Sequence, residues 1–177
     1  GWLEDLAGWL TVPGVGVVGA KLFYPDGTLN HAGIGLSRLD GLPHGLFEKE
    51  PAEELGYLFL PHAARNVAAV TGACLLTRTA LYRQLHGFDE TELPVAYNDV
   101  DFCLRVRATG RLVVYTPHAE LRHREGASRG RLHHLTDEEL FWRRWGREGG
   151  IRDPYVNPHL RSLNPLQLRL GPVPTDR

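Results

Sequence analysis

The chain has 177 residues, 42% of them hydrophobic, which is enough for one folded domain with its own core. Its 20 basic and 21 acidic residues leave a formal charge of −1, which excludes a partnership with nucleic acid or an anionic membrane driven by overall charge. Any electrostatic function has to be local.

Cys74 and Cys103 lie in apolar surroundings and form neither a disulfide framework nor a paired metal motif, so both read as buried thiols of a reducing compartment. The longest apolar stretch, Val67 to Leu76, is interrupted by Thr71 and Gly72 and reaches about half of the ~20 residues a membrane span needs. With no signal-peptide pattern, a cytoplasmic protein is expected, working in solution or at the inner face of the membrane. The chain contains no methionine, and Gly1-Trp2-Leu3 already opens an amphipathic pattern, so a processed or excised piece of a larger functional unit is expected.

In chain order, Trp2, Leu3, Leu6, Trp9 and Leu10 follow helical spacing until Pro13-Gly14 stops the run. Val15 to Tyr24 is rich in β-branched and aromatic residues, and Tyr24-Pro25-Asp26-Gly27-Thr28 turns it into a second extended run, Leu29 to Leu36. Residues 37 to 64 lack a sustained period and read as a long surface loop. Val67 to Thr77 reads as a buried strand carrying Gly72, and a helix from about Thr79 to His86 ends at Gly87. Asn98 is placed to cap a helix that runs to Gly110, with Asp99 and Asp101 in its first turn. Leu112 to Thr116 is a strand closed by Pro117, and a helix covers about Asp137 to Gly146 before a Pro and Arg rich tail. Alternating strands and helices predict an α/β fold with a mixed sheet and flanking helices, residues 1–135 forming the main domain and 136–177 a helix and wrapping tail.

Asp99 and Asp101 are two apart at a helix start and cannot share one face, so only one carboxylate points squarely into a given cleft. Such a group suits a proton acceptor or a metal ligand, and plain helix capping is the alternative. His123 follows the strand after that helix, on a segment whose Arg122, Arg124, Arg129, Arg131, His133 and His134 would form a positive rim for a diphosphate, or simply a solvated basic loop. His133-His134 is a poor metal pair, since adjacent residues rarely converge on one ion. His31, His44, His62, His86, His118 and His159 show no ligand spacing and read as surface or hydrogen-bonded residues. No P-loop, nucleophile elbow or dinucleotide fingerprint is present.

The ordered set Val18-Gly19-Ala20-Lys21-Leu22, Tyr24-Pro25-Asp26-Gly27, His31-Ala32-Gly33, Arg65-Asn66-Val67, Val70 to Leu76, Gly87-Phe88-Asp89-Glu90, Tyr97-Asn98-Asp99-Val100-Asp101 and Ser128-Arg129-Gly130 resembles glycosyltransferase family 2, especially its rhamnosyltransferase-like members. The resemblance covers most of the chain and implies the C-terminal, acceptor-side portion of a GT-A fold. It further implies a nucleotide-sugar donor, a saccharide or lipid-linked acceptor, a divalent cation (Mn or Mg) and inverting transfer. Asp99 then matches the general base, with Asn98 where the family usually has Glu, and Asp101 a supporting acidic position. Thr71-Gly72-Ala73 match the floor of the acceptor side, His123 a histidine that completes the cation site, and Arg129 and Arg131 diphosphate contacts.

Two departures shape the expectation. The half that supplies the nucleotide pocket and the Asp-x-Asp cation motif has no counterpart here, so the isolated chain is expected to be inactive and not to hold the cation alone. Phe141 stands where processive synthases carry the Gln of Gln-x-x-Arg-Trp, before Arg144-Trp145, which favours addition of one sugar at a time. The competing readings are a non-catalytic carbohydrate-binding or assembly module and a metal-dependent hydrolase using Asp99, Asp101 and His123. A homodimer through an uncovered sheet is a further expectation.

Overall fold

The structure is a computed structural model that describes residues 1–36, 42–124, 134–146, 153–157, 160–163 and 166–168. Its centre is strand β1 (Val15–Phe23), which is buried along all but its last residue. A strand buried on both faces needs a layer on each side. Helix α1 (Trp2–Trp9) covers one face, where Leu6 and Leu10 pack on Val18, Ala20 and Leu22. Helix α3 (Asn98–Ala108) covers the other, where Val100, Phe102, Leu104 and Val106 join Val17, Val113 and Tyr115. The result is an α/β layered fold with a mixed sheet, consistent with a GT-A type fold.

Strand β7 (Leu112–Arg122) runs parallel to β1, and β5 (Arg65–Asn66) pairs antiparallel with β7. The opposite edge of β1 is shared by β6 (Leu75–Thr77) along Val17 to Gly19 and by β2 (Leu29–His31) at Leu22 and Phe23. The expected end of the strand at Pro117 is corrected: β7 continues to Arg122. Its register with β1 jumps from Ala20↔Thr116 to Lys21↔Glu120, so Pro117 falls in a bulge where no ladder amide is required. The bulge sets the Lys21 amine 3.5 Å from the Glu120 carboxylate.

The run Leu29 to Leu36 divides at Gly33 (φ +96°) into β2 and β3 (Ile34–Leu36). A Cβ at Gly33 would lie 2.8 Å from Val67 Cγ1, so the glycine serves both the turn and the close approach. The single strand expected over Val67 to Thr77 is also corrected. Val67 to Val70 are buried, but among the described residues they form no continuous strand: the Val67 N–H bonds to the Val113 carbonyl, Ala69 and Ile34 make an isolated bridge, and the chain turns at Thr71 to Ala73 before β6. The part of 37–64 that the structure describes is no loose loop. It contains β4 (Pro43–Gly45) paired with β3, a 3₁₀ turn at Tyr57–His62, and Phe47 fully buried in the main core.

Helix α2 (Thr79–Gln84) ends before His86 and Gly87, both at positive φ. Asn98 is not the cap of α3: it is the first helical residue, and Tyr97 occupies the cap position in the left-handed region (φ 62°) with no side-chain cap hydrogen bond. Helix α4 (His134–Trp145) follows, and a hairpin of β8 (Leu160–Leu163) and β9 (Leu166–Leu168) completes the elements. Among the described residues, no helix is long and apolar enough to cross a membrane.

Candidate functional site

The first turn of α3 meets the Thr71 to Ala73 turn, and Asp99 joins them. Its Oδ1 accepts the Val100 N–H at 2.8 Å, and its Oδ2 accepts the Gly72 N–H at 2.7 Å. Gly72 permits this approach: a Cβ there would lie 3.2 Å from Asp99 Cβ and 3.6 Å from Phe88 Cζ. Thr71 closes the turn from inside, its Oγ1 accepting the Ala73 N–H at 3.3 Å. Phe88 belongs to a cluster of edge and tilted rings with Tyr82 and Phe102 that backs the start of the helix.

His31 supports the same turn from the sheet. It is buried, and its Nε2 accepts the N–H of Gly33 at 3.3 Å and, more weakly, that of Thr71 at 3.5 Å. Desolvation, followed by the nearby charges of Arg65 and His123, pushes its pKa down to about 3. The ring is therefore neutral, with the proton on Nδ1 and Nε2 left as the acceptor. From the sequence alone His31 reads as a surface or hydrogen-bonded residue. The available signal was its alternation with the equally buried Leu29 in a short strand.

Asp101 faces away from this turn and is completely buried. Its Oδ2 takes the Arg105 Nε–H at 2.8 Å, while its Oδ1 takes Arg144 Nη1 at 3.0 Å and the Trp145 indole N–H at 2.9 Å. Arg144 also bridges Asp89 at 2.7 Å and Glu92, and Arg105 donates to the carbonyls of Leu85 and Gly87. Burial alone would weaken the Arg144 charge, but hydrogen bonds to Asp89, Asp101 and Glu92 outweigh it and raise its pKa. Helix α4 is anchored at its other end by Asp137, whose Oδ2 accepts the N–H groups of Val95 and Ala96, and by the Tyr97 and Phe141 rings at 5.1 Å. The segment leading into Asp99 is thus clamped between two helices. In the sequence Arg144-Trp145 stand out only by contrast with the Gln-x-x-Arg-Trp motif, yet they complete the binding of Asp101.

His123 stands beyond the end of β7, its Nδ1 3.1 Å from Asn30 Oδ1 and its N–H bonded to the Phe23 carbonyl. Asn30 neighbours His31, whose Nε2 accepts the Thr71 N–H beside Gly72. Among the described residues, no three His, Cys, Asp or Glu side chains gather as a cation site. The set Asp99, Asp101 and His123 is not brought together: Asp101 is enclosed by cations, and His123 is committed to Asn30. Arg129 and Arg131 lie outside the described residues.

Comparison with known proteins places this geometry in context. The model of the family described as "Glycosyltransferase like family 2" matches residues 52–144, which contain Thr71 to Ala73, Asp99, Asp101 and Arg144. An uncharacterized protein of Sinorhizobium fredii is 42% identical over 90% of this chain and 18% of its own length. The O-antigen biosynthesis protein RfbC of Myxococcus xanthus is 36% identical over 90% of this chain and 12% of its own. The N-acetylglucosaminyl-diphospho-decaprenol L-rhamnosyltransferase of Mycobacterium tuberculosis is 39% identical over 41% of this chain and 23% of its own. The chain thus spans less than a quarter of each of these relatives.

Proposed function

Because this chain belongs to glycosyltransferase-like family 2, we propose that it supplies the acceptor side of an inverting sugar transfer, with Asp99 as the general base. The observation that carries the reading is the position of the Asp99 carboxylate. Each oxygen is fixed by one main-chain N–H, from α3 and from the Thr71 to Ala73 turn, and each keeps a lone pair to receive a proton. A base held on a rigid helix start by two independent segments is pre-organised for proton transfer.

In the reaction so read, an acceptor hydroxyl oxygen forms a bond to the anomeric carbon of a nucleotide-sugar. The bond from that carbon to the diphosphate oxygen breaks, its electron pair leaves with the nucleoside diphosphate, and the hydroxyl proton passes to Asp99. Attack opposite the leaving group inverts the anomeric centre. Thr71, Gly72 and Ala73 floor the acceptor side, Asn98 opens the helix beside the base, and Asp101 supports it from behind. The names of two relatives, concerned with O-antigen biosynthesis and with rhamnosyl transfer onto a lipid-linked sugar, support a saccharide or lipid-linked acceptor.

A divalent cation, Mn²⁺ or Mg²⁺, would offset charge on the leaving diphosphate. The described residues close no site for it. His123 Nε2 is its one proposed ligand here, Arg129 and Arg131 are proposed diphosphate contacts, and donor binding is assigned to other parts of the protein. The 177 residues alone are accordingly expected to show no turnover with either metal.

The test is Asp99→Asn in the full-length protein. Turnover should fall by about 10²–10⁴-fold, the usual contribution of a general base, with donor affinity unchanged. Turnover equal to wild type would remove Asp99 from the role. An intact protein with no transfer to any acceptor would favour a carbohydrate-binding or assembly module.

A further inference from the structure

A second recess lies on the α3 face of the sheet, apart from Asp99. It is a pocket of about 200 Å³ walled by Ile34, Leu46, Val67 and Ala68 from the core and by Tyr57, Leu58 and Leu60 from the 3₁₀ turn. The segment 153–157 supplies its outer wall. Tyr155 in that wall lies under the Arg107 guanidinium at 5.4 Å, which ties it to the last turn of α3. Asp99 is in the first turn, eight residues earlier, or roughly 12 Å along the axis.

The lining also carries the polar groups of Tyr57, Arg65, Asn66, Asp153, Tyr155 and Asn157, and the Arg65 guanidinium donates to the Leu60 and Ala32 carbonyls. The Asn66 carboxamide makes no side-chain hydrogen bond to the described residues, although it lines the pocket. The Tyr57 hydroxyl accepts from Asn157 Nδ2 at 2.8 Å and keeps its own proton to donate. Asp153 accepts the N–H groups of Leu36 and Tyr155, one on each oxygen at 2.9 Å, and retains further lone pairs.

The mouth of the pocket carries backbone strain. Leu58 and Phe59 are consecutive non-glycine residues in the left-handed region, at φ 52° and 61°, and both side chains are exposed. Such positions cost on the order of 1–3 kcal/mol each and gather where a ligand is clamped. Here Leu58, from this strained turn, lines the pocket. A sugar ring has the matching chemistry: an apolar C–H face for the Leu and Tyr walls, and hydroxyls at its rim for a carboxamide, a phenol and a carboxylate.

We propose that this pocket binds a single sugar ring of the acceptor glycan, away from the hydroxyl that reacts at Asp99. The assignment to an acceptor rests on the transferase reading above, whereas the binding of a sugar ring does not. A ring held here would select acceptors that extend beyond the reacting residue.

The experiment is a titration of the isotope-labelled 177-residue chain with methyl glycosides of glucose, mannose and rhamnose, followed by NMR. The expected result is shifts of the Asn66 carboxamide and the Tyr155 ring by at least one glycoside, with a Kd on the order of millimolar. Asn66→Ala should weaken binding about fivefold, the loss of roughly 1 kcal/mol of hydrogen bonding. Tyr155→Ala, at a partly exposed position, should weaken it as well and serves if Asn66→Ala does not fold. No shift with any glycoside, shifts confined to the Gly72 and Asp99 region, or shifts with octanol alone would each overturn the proposal. Glycoside binding together with an inactive full-length protein would sink the transferase reading only. Loss of turnover in Asp99→Asn with no glycoside binding would sink the pocket only.

Discussion

The main-chain N–H of Gly72 donates to Asp99 Oδ2 at 2.7 Å, so a turn that follows a buried segment and a helix start 27 residues later share one hydrogen bond. This bond fixes the orientation of the carboxylate, and a side chain at position 72 would press on it.

Gly72→Ala places a methyl 3.2 Å from Asp99 Cβ, a contact that needs a shift of a few tenths of an ångström. Folding stability should change by less than about 1 kcal/mol, as at most partly exposed positions. Turnover of the full-length protein should nevertheless fall several-fold, because small misplacements of a reacting group are costly. Gly72→Val should lower it further. Steady-state kinetics beside urea denaturation separates the two effects, and unchanged turnover in both variants would contradict the geometry.

Asp101→Ala should be the more damaging change to stability. It leaves Arg105 and Arg144 without a buried carboxylate, and breaking such a pair typically costs about 3–5 kcal/mol. Arg144→Ala should cost less, since Asp101 keeps Arg105 and Trp145. A double-mutant cycle read by urea denaturation should give a coupling of about 0.5–3 kcal/mol.

Stability should depend on pH through His31. Its folded pKa of about 3 lies below the ordinary histidine value of 6.5, so between these values the unfolded chain binds the proton that the folded chain refuses. The stabilisation is complete above 6.5 and is lost as pH falls toward 3, by about 1.4 kcal/mol per unit. Urea denaturation at pH 7 and pH 5 should show this loss. His31→Gln, which keeps an acceptor but cannot titrate, should reduce the slope.

The two thiols should differ in native reactivity. Burial pushes Cys103 up to about 12, while partly buried Cys74 is raised by the same cause to a lesser degree. Alkylation at pH 8 should label Cys74 slowly and leave Cys103 untouched until denaturant is added. Mass spectrometry of the labelled chain checks this, and early labelling of Cys103 would contradict its burial.

Local patterns carried much of the fold. The amphipathic spacing at Trp2 to Leu10, the β-branched run at Val15 and the first turn at Asp99 produced α1, β1 and α3, because period and turn chemistry act within a few residues. The segment from Val67 to Thr77 misled for a physical reason: its apolar residues are buried, but the Gly72 amide is satisfied by a side chain rather than a neighbouring strand. Pro117 misled because a bulge removes the requirement it would otherwise break.

By itself the sequence determined the α/β layering and the family resemblance, since these rest on residue type and spacing. Only the tertiary structure separated the two aspartates. Asp99 lies against a turn and keeps lone pairs to receive a proton, while Asp101 is closed in by Arg105, Arg144 and Trp145. The same holds for His31 and Asn66, whose neighbours come from strands and turns far along the chain. A side chain's partners at such separations depend on how the layers pack, and no local pattern encodes that.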